Sequence, residues 1–136
     1  MAHPNVELLQ RFLDAYADGD REALEGLLSP DAVWHVGGTN RLSGDYRGRD
    51  AILEYFDTVQ RETDGTLTLH PVEVLANDRR GAVFLRVTAE REGRMLDVAM
   101  AEAFLFAGDG SVQEFWAHAA DQAAVDGFWD DGEQYG

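Results

Sequence analysis

The chain has 136 residues, enough for one domain. It is 45% apolar and 27% charged, with a formal charge of −15 and no cysteine. That balance permits a soluble core, excludes disulfides, thiol nucleophiles and cysteine-ligated metals, and disfavours nucleic acid or anionic membrane as partners. All 11 basic residues are arginine, which excludes lysine Schiff-base chemistry and points to a GC-rich, bacterial genome. No apolar run has the ~20 residues of a membrane span, and the N-terminal residues lack the pattern of a signal peptide, so the expected location is the cytoplasm.

In chain order, Val6, Leu9, Phe12, Leu13 and Tyr16 recur at helical spacing and stop at Asp18-Gly19-Asp20. Asp20 can cap a short second helix ending at Ser29-Pro30. Residues 32–36 read as a strand, and a glycine-bearing loop covers 37–48. A third helix follows from about Asp50 to Glu62, with Ile52, Phe56 and Val59 inward. After Asp64-Gly65 the period changes to two and predicts a four-strand meander. Its strands are about 66–75, bulged or at an edge near Pro71, then one centred on Val83–Ala89, then 95–106 and 111–118. Phe128 and Trp129 can pin a last helical turn, after which the tail carries acids and no base.

Helices followed by a meander define an α+β order. The strand at 95–106 is apolar on both faces, with Leu96, Val98, Met100, Phe104 and Phe106 on one and Ala99, Ala101, Ala103 and Leu105 on the other. One face packs on helices, and the simplest cover for the other is a second subunit.

Glu102 interrupts the first of those stripes. A lone buried carboxylate is costly, so it protonates or finds a donor. A carboxyl raised in this way suits a general acid, while pairing with Arg86 or Arg94 is the structural alternative. His118 and Asp121 form a second cluster able to supply a base, although alternation with Glu114 carries His118 outward and Asp121 can cap the tail helix. His35 and Trp34 are adjacent on the first strand, so one of the two faces inward. Tyr16 and Tyr55 can offer phenols to a pocket or simply pack. The histidines lack metal-ligand spacing, Gly37-Gly38 lacks a nucleotide-loop pattern, and no Gly-x-Ser-x-Gly elbow occurs. Acid–base chemistry without a cofactor or a metal, or binding alone, is what these residues leave open.

Several stretches resemble the SnoaL-like and ketosteroid-isomerase-like branch of the nuclear transport factor 2-like superfamily. They are Gln10–Asp20, Leu28–Trp34, Ser43–Ile52, Val112–Trp116, Asp121-Gln122 and Phe128-Trp129. The resemblance implies a cone-shaped, curled antiparallel sheet wrapped by three helices, a deep apolar pocket, and a homodimer through the sheet's outer face. Carried over residue by residue, the neutral acid of the isomerase oxyanion hole falls on Glu102, its helix tyrosine on Phe12 and its aspartate base on Val36. The aspartate of SnoaL-type cyclases falls on Ala119, two residues before Asp121, and the Asp–Arg–Asp set of limonene epoxide hydrolases has no full counterpart.

The resulting expectation is an isomerase, polyketide-type cyclase or dehydratase (a lyase) acting on a small apolar carbonyl compound. Glu102 is the acid and His118, His35 or Asp121 the base. The pocket walls are Trp34, Tyr16, Tyr55, Phe12, Val36, Val87, Met100, Phe104 and Phe115. The alternatives are a non-catalytic binding or dimerisation module and, third, an epoxide hydrolase.

Overall fold

A computed structural model describes residues 3–130. Helix α1 (Pro4–Asp18) starts where the His3 ring accepts a hydrogen bond from the Asn5 amide, with Pro4 in its first turn. It ends at Gly19, whose φ of 68° suits a residue without Cβ. Asp20 caps α2 (Arg21–Leu27) through the Ala23 amide. Strand β1 (Leu28–Val36) follows at once, then β2 (Gly44–Arg47), α3 (Arg49–Glu62) and four long strands: β3 (Thr68–Ala76), β4 (Arg80–Arg91), β5 (Arg94–Phe106) and β6 (Val112–Ala119). A fourth helix, α4 (Gln122–Phe128), comes last, and the acids Asp131 and Glu133 lie outside the described residues.

The six strands form one sheet in the order β2-β1-β6-β5-β4-β3. The expected antiparallel cone is corrected on three counts. The sheet is mixed, because β1 and β6 pair in parallel, Trp34 opposite Phe115 and His35 opposite Trp116. It is open rather than a curled cone, since β2 and β3 occupy opposite edges. Among the described residues four helices accompany it, not three. The physical reason is the route of the chain: α3 carries it from β2 to the far edge, and the meander returns to β1. Hydrophobic periodicity reports which face a residue occupies, not which strands become neighbours.

Strand β2, inside the expected 37–48 loop, pairs with β1 and becomes an edge. The irregularity near Pro71 is a bulge that skips Val72 on edge strand β3, where a proline removes no interior ladder bond. Alternation on β4 and β5 buries Val83, Leu85, Val87, Leu96, Val98 and Phe104 against the helices. Phe12 sits at the centre of this core, stacked on Trp34 and edge-on to Phe56 and Phe104. Trp34 lies flat on Phe115, with ring centroids 3.4 Å apart. Among the described residues no helix is long and apolar enough to cross a membrane.

Candidate functional site: a lone carboxylic acid in an apolar cavity

One cavity opens between the inner face of the sheet and the helices, with a volume of about 90 Å³. Its inner wall is Trp34, Val59, Leu67, Val87, Leu96 and Phe115, all buried. Val36, Met100 and Ala117 extend that wall, and Gly37, Asn40, Gln122, Val125 and Trp129 border it from the 37–43 loop and α4. Polar side chains in the lining are those of Tyr16, Asn40, Tyr55, Glu102 and Gln122.

Glu102 reaches this cavity because β5 alternates. It stands opposite Val83 of β4 and Ala117 of β6, on the face shared with Val98, Met100 and Phe104. The residue is only 8% exposed, and burial raises its pKa from 4.5 to about 8. The arginine alternatives do not apply. Arg86 binds Asp97 on the opposite face, and Arg94 donates to the carbonyls of Phe128 and Asp130. Among the described residues no side chain or amide hydrogen-bonds the Glu102 carboxyl, and desolvation favours its protonated, uncharged form facing the cavity.

Tyr16 of α1 and Tyr55 of α3 bring the nearest phenols. Burial raises both pKa values well above the ordinary tyrosine range. The two hydroxyls interact with each other, and the charge of an ionised Glu102 would raise both further, so the three groups form one electrostatic cluster. The ring of Tyr16 stacks on Phe56 at 4.5 Å, and that of Tyr55 leans on Tyr46 at 4.7 Å, which fixes the direction of each hydroxyl.

The mouth is organised by Asp126 of α4. Its carboxylate accepts from the Thr39 amide (3.2 Å), Thr39 Oγ1 (3.3 Å), Asn40 Nδ2 (2.8 Å) and Gln122 Nε2 (3.1 Å). Burial alone would push Asp126 upward, but these donors hold its pKa below the usual carboxylate value. The far end of α4 is gripped by arginines. Buried Arg91 donates to the carbonyls of Phe128 and Asp130, pairs with Glu62 at 3.2 Å, and lies 5.7 Å from the centre of the Trp129 ring. Arg41 donates to the Trp129 carbonyl and to Glu62, whose pKa it lowers despite partial burial.

The structure therefore gathers Glu102, Tyr16, Tyr55, Trp34, Val36, Val87, Met100 and Phe115 around one cavity. Phe12 and Phe104, expected in the wall, stand behind it in the core, 1% exposed each. Tyr16, one turn beyond Phe12, is the α1 residue that lines the cavity. None of the three expected bases is in the lining. His35 points to the opposite face, stacked on Trp116 at 5.4 Å. Its two ring nitrogens each lie 2.7 Å from a carboxylate, those of Asp45 and Glu114. Burial works against its charge, yet these bonds raise its pKa overall. His118 is exposed on that face, opposite Ala101, and Asp121 caps α4 through the Ala124 amide. Alternation explains both histidines, since inward Trp34 and Phe115 force their neighbours Trp116 and His35 outward and His118 with them. Gln122 and Trp129 were missed as lining residues because they come from a short terminal helix with no pocket signal of its own.

A model of the SnoaL-like domain family matches residues 9–115, and the chain belongs to that family. The uncharacterised protein Rv0034 of Mycobacterium tuberculosis is 32% identical over 126 residues, 92% of this chain and 95% of that one. Among solved structures, Bal32a from a soil-derived mobile gene cassette is 37% identical with a TM-score of 0.88, covering 92% of this chain and 95% of its own. IdmH of Streptomyces antibioticus, described as a candidate polyketide cyclase, shares the fold at 21% identity and a TM-score of 0.71, with 87% and 93% covered.

Proposed function

We propose that the chain is a small-molecule pocket protein that performs acid–base chemistry on an apolar, carbonyl-bearing compound, in the class of isomerases, cyclases or dehydratases. The observation that carries this reading is the buried Glu102 carboxyl, without a hydrogen-bond partner among the described residues and raised by desolvation, in an otherwise apolar wall beside two phenols. A neutral carboxylic acid donates a hydrogen bond to a carbonyl oxygen and strengthens it as that oxygen gains charge in an enol-forming transition state. Tyr16, on the helix where Phe12 has no hydroxyl, supplies a second donor directly or through Tyr55. With a pKa near 8, Glu102 can also return or accept a proton close to neutral pH. Side chains suffice for such proton transfer, so the chemistry requires no cofactor.

A binding module is the second reading, favoured by the lining itself, in which neither a histidine nor an aspartate stands near Glu102. Hydrogen–deuterium exchange separates the two without knowledge of the natural substrate. Enolisable aryl ketones in D2O, followed by NMR, should lose their α-proton signals in the presence of the protein. Glu102→Gln should slow that exchange at least ~100-fold. Binding of the same ketones without any exchange would leave the module reading.

The outer sheet face is the proposed contact with a second copy of the chain. Phe84, 45% exposed, lies level with Ala101 and His118 across β4, β5 and β6, and Leu105 lies level with Glu114.

A further inference from the structure

The amide of Gln122 is oriented by its neighbour. Asp126 is an ionised carboxylate and can only accept, so the Nε2 group of Gln122 must be the end that faces it. Oε1 is left pointing the other way. It lies 3.6 Å from where a Cβ of Gly37 would stand, and that same position is 3.7 Å from the Ala117 carbonyl. Gly37, Ala117 and Gln122 all border the cavity, so two acceptor oxygens converge on a gap that exists because residue 37 has no side chain. Neither amide end is free to rotate: Asp126 keeps its place through Thr39 and Asn40, and the Asn40 amide is itself fixed, its Oδ1 taking the Leu42 N–H. Oε1 of Gln122 accepts no hydrogen bond among the described residues.

The cavity is thus polarised. Donors (the Glu102 acid and the tyrosine pair) lie on the sheet and helix wall, acceptors lie at the border formed by Gly37 and α4, and apolar side chains occupy the wall between. We infer that the ligand has two ends: a ketone-type acceptor that meets Glu102, and a hydroxyl or N–H donor that meets Gln122 Oε1 across the gap at Gly37. This rests on the reading of Glu102 given above. It also specifies what is refused. A ligand carboxylate or phosphate at the gap would face the Gln122 and Ala117 acceptor oxygens, with the Asn40 and Gln122 amide donors already engaged by Asp126, inside a protein of net charge −15. The class is therefore a neutral hydroxy- or amino-ketone with an apolar body.

Two matched probes test this, 2-acetyl-6-hydroxynaphthalene and its 6-methoxy ether, titrated by calorimetry or by quenching of the Trp34 and Trp129 fluorescence. The hydroxyl compound should bind about fivefold or more tightly, the range of one neutral hydrogen bond. Gln122→Leu should reduce that preference to less than about twofold. Gly37→Ala, which keeps an ordinary backbone and places a methyl 3.6 Å from Oε1, should do the same in a protein whose α4 contacts are intact. Equal binding of the two probes by the wild type, a preference that survives both substitutions, or failure of both probes to bind overturns the inference. Glu102→Leu keeps this outcome distinct from failure of the reading beneath it. Loss of affinity for both probes in Glu102→Leu, without a hydroxyl preference in the wild type, removes the Gln122 site alone. A hydroxyl preference with no sensitivity to Glu102→Leu overturns the acid reading and with it the two-ended ligand.

Discussion

At the scale of single residues, Glu102 couples the site to the stability of the fold. Its folded pKa is about 8 against an ordinary value of 4.5, so the folded state holds a proton that the unfolded chain has already released. Stability from this group is complete below about pH 4.5 and falls as pH rises toward 8, by about 1.4 kcal/mol per pH unit within that window. Glu102→Gln should flatten this slope in urea denaturation series at pH 5, 7 and 8, leaving the variant the more stable protein at pH 8. An equal slope in wild type and variant would mean that Glu102 is ionised in the folded protein. The same desolvation that costs stability at high pH keeps the acid protonated where it can donate.

Among the elements, α4 is the piece that ordinary amphipathic packing explains least. It has seven residues, too few to hold a helix by itself, and Phe128 is its buried apolar anchor. Its position comes from polar contacts on its last turn and just beyond: Asp126 binds the 37–43 loop, and Arg91, Arg94 and Arg41 grip the carbonyls of residues 128–130. Cations at a helix C-terminus meet the carbonyls left without an internal partner. Arg91 is 4% exposed, so truncating it leaves Glu62 and those carbonyls poorly satisfied. Arg91→Ala should cost about 3 kcal/mol in chemical denaturation. Hydrogen exchange of the α4 amides should accelerate more than that of β4 or β5. Uniform acceleration across the protein would show that α4 opens only with the whole fold. Because Val125 and Trp129 border the cavity, the same variant is expected to bind pocket ligands more weakly.

For the whole molecule, the two sheet faces divide the work. The inner face holds the core and the cavity, and the outer face carries small alanines on β5, Phe84, Trp116 and the His35 group with Asp45 and Glu114. Small residues permit close approach of a second sheet. Sedimentation velocity at micromolar protein should show a dimer, and Ala101→Arg, which places a long cation in the middle of that face, should convert it to monomer without changing the circular dichroism spectrum. A monomeric wild type would remove the second copy from the proposal.

Much of the local structure was legible from residues alone. Asp20 and Asp121 cap the helices that follow them, Pro71 marks a bulge, and the period of two on β4 and β5 assigns the buried face and places Glu102 on it. These are consequences of near-neighbour stereochemistry, which the sequence carries directly. The assignment of His118, His35 and Asp121 as bases failed to meet Glu102 because it depended on which face each residue takes once β6 lies beside β1. Phe12 and Tyr16 illustrate the same limit at finer scale. Both lie on the apolar stripe of α1, but the long-range contacts each meets place Phe12 in the core against Trp34 and Tyr16 at the cavity. Most elements, their buried faces and the position of one carboxyl within an apolar stripe follow from the residues themselves, because caps, turns and alternation act over a few residues; the short edge strand β2, read as loop, does not. The open sheet with its parallel β1–β6 pair, the place of α4 at the cavity's edge and the orientation of the Gln122 amide there emerge from the folded chain alone. Those outcomes depend on contacts between residues far apart in the chain, and no local pattern encodes them.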